Sequence, residues 1–210
     1  MILYLIFFSA SLFASNSPEI LLDIYSKDRW EFVERASHNN NVFETKNTLN
    51  HDKYIMIEHS IKHDKNKILN VVKSIPEYNE IISNKNVTTE LLYNDNDTLY
   101  CLQTIQNSVP FIRDRQYIFK LYQVNEDRID WYLIDKEHSL LSDYLNDDIH
   151  TLTYGAGSWE IIDKNNQKVL IYRMYVDEEV NLPLVFIQKL RINHALDIFN
   201  DVLAWAKGVG

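Results

Sequence analysis

Along residues 54–63, YIMIEHSIKH, apolar side chains recur at every second position, so that Ile55, Ile57, His59 and Ile61 share one face. Period two is the signature of a strand. The same reading predicts a short strand over 42–48 and, from Asn86 onward, a series of strands broken by turn residues. VTTELLY runs into Asn94-Asp95-Asn96-Asp97, TLYCLQTIQ into a loop around Pro110, and RQYIFKLYQV into Asn125-Glu126-Asp127. RIDWYLID is followed by a polar stretch over 136–150, read as a loop with a helical turn. TLTYGAGSWEII and VLIYRMYV, joined at KNNQ, complete the series. Strands linked by short Asn- and Asp-rich turns make an antiparallel sheet.

Elsewhere the period lengthens. In 18–36, Leu22, Tyr25, Trp30, Phe32 and Val33 follow an approximately helical spacing behind Pro18, which suits a first turn. Asp64 can cap a helix running to about Ile75, with Ile68, Val71 and Val72 on its apolar side. Pro76 interrupts it, and PEYNEII gives a second short helix. The longest helical signal is C-terminal. After Pro183, the residues Leu184, Ile187, Leu190, Ala195, Ile198, Val202 and Trp205 recur at three- and four-residue steps until Gly208. Such a helix must bury its stripe on the sheet. The predicted class is therefore α+β, a curved antiparallel β-sheet wrapped around a long C-terminal α-helix with a space between them. No repeat or linker interrupts 18–208, which form one domain.

Composition narrows the function. The chain has 210 residues, 46% hydrophobic, a size and content that support a core without metal or disulfide staples. Acidic residues outnumber basic ones by 30 to 21, a formal charge of -9, which argues against nucleic acid as a partner. The single cysteine, Cys101, excludes an internal disulfide and any Cys-rich metal site. No cofactor motif and no glycine-rich phosphate loop is present.

Residues 1–14, MILYLIFFSASLFA, carry no charge and end where the sequence turns polar at Ser15-Asn16-Ser17-Pro18. They read as a signal peptide, too short for an ordinary transmembrane helix. Cleavage after Ala14 puts Leu12 at the minus-three position; an uncleaved anchor is the alternative. The expected location is periplasmic or secreted.

Four local features resemble the START (StAR-related lipid-transfer) domains, whose helix-grip fold is shared with polyketide cyclases. They are the proline-broken helix pair KILNVVKSIPEYNEII, the segment Pro110-Phe111-Ile112-Arg113-Asp114-Arg115-Gln116-Tyr117, the strand Gly157-Ser158-Trp159-Glu160-Ile161, and Tyr172 followed by Asp177 and Asn181-Leu182-Pro183. In order and spacing they cover about residues 20–207. The pattern departs from the family's where Gln116 stands for the usual Asp and Asp177-Glu178-Glu179-Val180 for Asp-Pro-Gly-Gly. The resemblance implies a monomeric binder of a lipid or other hydrophobic small molecule, acting in lipid transfer with transient membrane contact, and the residues themselves offer no convincing catalytic constellation. The alternative it implies is a cavity enzyme of the cyclase or hydratase kind.

Candidate residues follow from the strand faces. Arg115, Tyr117, Phe119 and Leu121 share a face that is apolar except for Arg115, whose charge needs a partner there. That partner is an internal carboxylate, with Glu90, Glu160 and Asp177 as candidates, a backbone carbonyl, or the head group of a ligand. Trp159, Tyr172, Met174 and Trp131 either line a cavity or fill the core. On the resemblance, Leu184 and Ile187 face the ligand at the start of the last helix. His59 and His63 at i, i+4 match zinc spacing only on a helix, whereas on a strand they stand about 13 Å apart. Cys101 reads as a small buried hydrophobe, and the adjacent carboxylates Asp147-Asp148 and Glu178-Glu179 as solvated turn residues.

Overall fold

The computed structural model describes residues 19–46, 53–62, 64–107, 113–134, 141–177 and 183–208. The apolar leader, His63, Pro110-Phe111-Ile112, Glu178-Glu179 and Asn181-Leu182 lie outside them.

The chain runs α1 (Glu19–Tyr25), β1 (Glu31–Arg35), β2 (Asn41–Lys46), β3 (Lys53–Ile61), α2 (Lys65–Lys73), α3 (Tyr78–Ile81), β4 (Val87–Asp95), β5 (Thr98–Ile105), β6 (Arg115–Asn125), β7 (Arg128–Leu133), β8 (His150–Thr151), β9 (Gly155–Lys164), β10 (Gln167–Val176) and α4 (Leu184–Ala206). Nine strands form an antiparallel path in the order β1-β2-β3-β10-β9-β7-β6-β5-β4, and short β8 pairs in parallel with the start of β6. From β3 the chain crosses through α2 and α3 to the far edge, then meanders back until β10 pairs with β3. This sheet, with the C-terminal helix, is the predicted α+β arrangement.

Local chemistry accounts for most boundaries. Asp64 caps α2 by accepting from the Asn66 backbone N–H at 3.0 Å. The turns at Asn96 and at Asn165-Asn166 take left-handed backbone, which asparagine tolerates. Residues 18–36 do not form the single helix that their spacing predicts. The helix ends at Tyr25, and 31–35 pair with β2 instead, Phe32 opposite Phe43. Phe32 and Val33 are residues that a pleated edge accommodates well, and pairing with β2 outweighs a weak helical preference.

The concave face carries the core. Ile55 and Ile57 of β3, Leu170 and Tyr172 of β10 and Trp159 of β9 point toward α4. From α4 the buried set is Ile187, Arg191, Ile192, Ala195, Leu196, Phe199, Val202 and Leu203. This stripe is rotated from the one read off the sequence: Leu190 is 40% exposed, whereas Phe199 and Ile192 are inside. Arg191 causes the difference, because a buried arginine in mid-stripe disguises the period. Its Nε donates to the Val176 carbonyl at 3.1 Å, its Nη1 to Gln188 Oε1 at 2.9 Å, and its guanidinium lies over Tyr175 at 4.6 Å. Thus satisfied, it fastens α4 to the end of β10.

On the convex face, Ile20, Leu21 and Ile24 of α1 pack against Tyr54, Ala156 and Tyr175. Beside them Arg128 holds buried Asp130 through two bonds of 2.8 and 2.6 Å, with Tyr25 stacked on its guanidinium at 3.5 Å.

Candidate functional site

Strand alternation brings Tyr117, Phe119 and Leu121 of β6, Tyr172, Met174 and Val176 of β10, Trp131 of β7 and Trp159 of β9 onto one concave surface. Tyr78 of α3 and Gln103 of β5 border it, and His194 and Ile198 of α4 close it. Together these residues enclose a cavity of about 50 Å³. That is room for a few water molecules, well short of the several hundred Å³ that enclose a drug-sized ligand.

Aromatic packing occupies the remaining space. The Trp159 indole stacks on Tyr172 at 4.1 Å and on Phe199 at 5.7 Å, nearly parallel to both. Phe119 meets the edge of Trp131 at 6.4 Å. Trp131 lies over β9 because the residue facing it is Gly157, where a Cβ would come within 2.7 Å of the indole and 2.5 Å of the Arg173 carbonyl oxygen.

One end of the cavity is polar. The Tyr117 hydroxyl donates to Gln103 Oε1, and Gln103 Nε2 donates to Thr89 Oγ1 at 2.9 Å. Tyr78 donates to the Val72 carbonyl at 2.6 Å. Burial raises the phenols of Tyr78, Tyr117 and Tyr172, so all three are neutral hydrogen-bond donors at ordinary pH. His194 moves the other way. Its apolar surroundings and then the nearby Arg115 charge lower it from an ordinary 6.5 to about 4, so it faces the cavity as neutral imidazole.

That shift has a measurable consequence. Between the two values the unfolded chain holds a proton on this imidazole that the folded chain does not. Stability is therefore full above about pH 6.5 and is lost as pH falls toward 4, by roughly 3 kcal/mol in all. Urea unfolding of wild type and His194→Leu across that window is expected to show a loss of stability on acidification that is larger in wild type by about that amount. Equal slopes would mean that His194 titrates normally in the fold.

Of the residues predicted from sequence, Tyr117, Phe119, Trp159, Tyr172 and Met174 come together in the cavity wall, joined by Trp131. Arg115, Leu184 and Ile187 are not in that wall. Arg115 stands on the same strand face just beyond it, where its charge acts on Tyr117 and His194 and its Nη2 donates to Asn107 Oδ1 at 3.4 Å. Two of the carboxylates considered for it stand elsewhere: Glu160 pairs with Arg173 at 2.7 Å, and Glu90 is exposed. Ile187 is buried outside the cavity, and Leu184 is 68% exposed, against the expectation that it faces a ligand. The first turn of α4 precedes the helix's first buried residue, Ile187, so Leu184 has no sheet to pack on. Cys101 is fully buried opposite Phe119, and burial pushes its thiol up to about 12. His59, half-buried, meets the edge of Phe199 at 6.4 Å.

Sequence reasoning missed Tyr78, Gln103 and His194. Gln103 lies on the face of β5 that also presents Cys101 inward, a signal that alternation carries. His194 follows Arg191 and Ile187 at steps of three and four, a relation hidden until Arg191 is known to be buried.

No protein-family model matches the sequence, and no curated protein matches it either. Solved structures do. The STAR-related lipid transfer protein from Xanthomonas axonopodis superposes with a TM-score of 0.68 at 12% identity, covering 86% of this chain and 99% of that one. Human StAR-related lipid transfer protein 5 gives 0.67 at 13% identity, over 90% and 91%. The di-domain aromatase/cyclase StfQ from the steffimycin biosynthetic pathway gives 0.54 at 10% identity, over 74% of this chain and 50% of that one. At these identities the likeness is one of fold, and the chain has the helix-grip fold of the START domains.

Proposed function

We propose that this helix-grip chain is an exported, monomeric carrier of a hydrophobic small molecule, a lipid, held between the sheet and α4 and exchanged through transient contact with a membrane. The observation that carries the reading is the aromatic-walled cavity with a single polar end, formed where the sheet meets the last helix. Apolar burial supplies the affinity at about 25 cal/mol per Å², and the neutral Tyr117, Gln103 and His194 groups orient the polar end of the ligand. A cavity of 50 Å³ does not admit a lipid chain as it stands. Uptake on this reading moves the aromatic wall or the N-terminal half of α4. Ahead of Arg191 only Ile187 of that helix is buried, and Leu184, Val185 and Phe186 offer an apolar surface for membrane contact. No described helix is long and apolar enough to cross a membrane.

One observation favours a second reading. His194, neutral and facing the cavity beside three phenols, is the kind of group that a cyclase-like enzyme uses for proton transfer.

Native mass spectrometry of protein purified from its host, expressed with residues 1–14 intact, tests the proposal. The expected mass is that of a chain beginning between Ser11 and Ser17 with a hydrophobic molecule bound and extractable. Ile198→Trp, which fills the cavity, is expected to abolish that adduct and leave circular dichroism unchanged. A protein that carries no adduct and takes up no fluorescent fatty acid or phospholipid is a self-filled core and not a carrier.

Arg115→Leu addresses the head group. Uptake of an anionic fluorescent fatty acid is expected to weaken about tenfold or more, the worth of a charged hydrogen bond, with a neutral probe unaffected. Equal loss for both probes would make Arg115 structural.

A further inference from the structure

The sheet has a second surface with unused chemistry. α1 and Trp30 cover one end of its convex face. At the other end, outward side chains of β1, β2, β3, β9 and β10, with the inward-facing His59 of β3 at its border, line a groove of about 490 Å³, far larger than the internal cavity. The register sets these side chains on one face: Arg35 pairs with Asn41, Asn41 with Glu58, and Gln167 with Lys164. Ser60 and Val169 continue the row, and turn residues Asn39 and Asn165, both in left-handed backbone, border it.

The lysine charge here is paired: Lys164 Nζ lies 3.0 Å from both carboxylate oxygens of Glu58, and Arg35 Nε donates to the neutral Asn41 Oδ1 at 3.3 Å. An incoming anion would compete with Glu58 for Lys164. An apolar ligand would strand the amides, at the cost of an unsatisfied polar group for each. The side chains of Asn39, Ser60, Asn165 and Gln167 make no hydrogen bond among the described residues. Each amide offers donors and an acceptor together, and the serine hydroxyl does the same. A ligand that satisfies such a set carries hydroxyl groups, themselves donor and acceptor, along its edge. Two residues along β2 from Asn41, about 7 Å away on the same face, stands Phe43. It packs edge to face with Phe32 at 5.7 Å, and Phe32 is 58% exposed. An exposed aromatic ring beside a row of amides suits a molecule with C–H faces and a hydroxylated rim.

We infer that this groove binds a saccharide. It shares no lining residue with the internal cavity and does not depend on that cavity holding a ligand.

Isotope-labelled full-length protein is titrated with glucose, mannose, N-acetylglucosamine, maltotriose and chitotriose, each to about 10 mM, above the millimolar Kd that a few hydrogen bonds sustain. At least one saccharide is expected to give saturable shifts in the side-chain amide resonances of Asn41, Asn165 and Gln167, undiminished by high salt. Asn41→Ala with Gln167→Ala is expected to weaken that binding at least tenfold with unchanged circular dichroism. Phe32→Ala, at an exposed position, is expected to weaken it several-fold without lowering Tm. Sodium phosphate should leave the amide resonances in place. The inference fails if no saccharide of the panel moves these resonances, if phosphate alone moves them, or if both variants bind the saccharide as wild type does.

Discussion

Phe199→Ala is expected to destabilise the fold by about 3–5 kcal/mol, which lowers Tm by roughly 10 °C in a chain of this size. Phe199 is fully buried at the middle of α4 and is parallel to the Trp159 indole at 5.7 Å, which itself stacks on Tyr172. Alanine removes one layer of that stack and leaves a hole that backbone cannot fill, because β9 and β10 are held by a ladder running from Gln167↔Lys164 to Val176↔Gly155. The hole adjoins the cavity, so the variant is also expected to take up more of a small apolar probe than wild type does. Chemical denaturation with parallel dye binding measures both. A loss below about 1 kcal/mol, typical of surface substitutions, would mean that the α4–sheet contact is much looser than described.

Gly157→Val is expected to cost at least the upper end of the 1–3 kcal/mol that overpacking costs. The obstacle is partly backbone: a Cβ at this position lies 2.5 Å from the Arg173 carbonyl oxygen, which belongs to the neighbouring ladder. Trp131 can yield, and only into the cavity. The substitution is therefore expected to abolish ligand uptake in whatever fraction still folds. Near-ultraviolet circular dichroism, which reports the tryptophan environment, follows that displacement, and an unchanged spectrum with normal uptake would refute it. Gly157→Ala should show the same effects in weaker form.

What could be read in advance divides by how clearly each element buries one face. β3, β6 and β10 were legible because each is a run rich in β-branched and aromatic residues between turn signals, four consecutive residues of it buried, and α4 because Pro183 and Gly208 delimit an apolar stripe. β1 was not legible. All five of its residues are exposed, so it carries no burial period at all, and Phe32-Val33 fit a helix as readily as an edge strand. Within the candidate site the strand-borne aromatics were found by face. His194 and Tyr78 were not, since their roles depend on the rotation of α4 and on the angle at which α3 meets the sheet. Those are set by Arg191 and by the Asn79–Thr89 hydrogen bonds at 3.1 and 2.9 Å, which join residues from different elements. The helix-grip resemblance placed Leu184 at the ligand; the buried stripe of α4 starts three residues later, at Ile187.

The pairing of β3 with β10 has a consequence in time. Ser60 hydrogen-bonds beside Val169, and Ile57 beside Tyr172, across more than a hundred residues of chain. Loop-closure entropy must be overcome before this central ladder is rewarded. Until the tenth strand and the last helix are synthesised, β3 is a free edge with Ile55 and Ile57 uncovered, and α2 has no α4 to pack on. A nascent chain of this topology therefore stays open for nearly the whole of its synthesis and closes in one late step. That delay makes the stretch from β10 through α4, Gln167–Ala206, the one whose loss removes both the partner of β3 and the cover of the core.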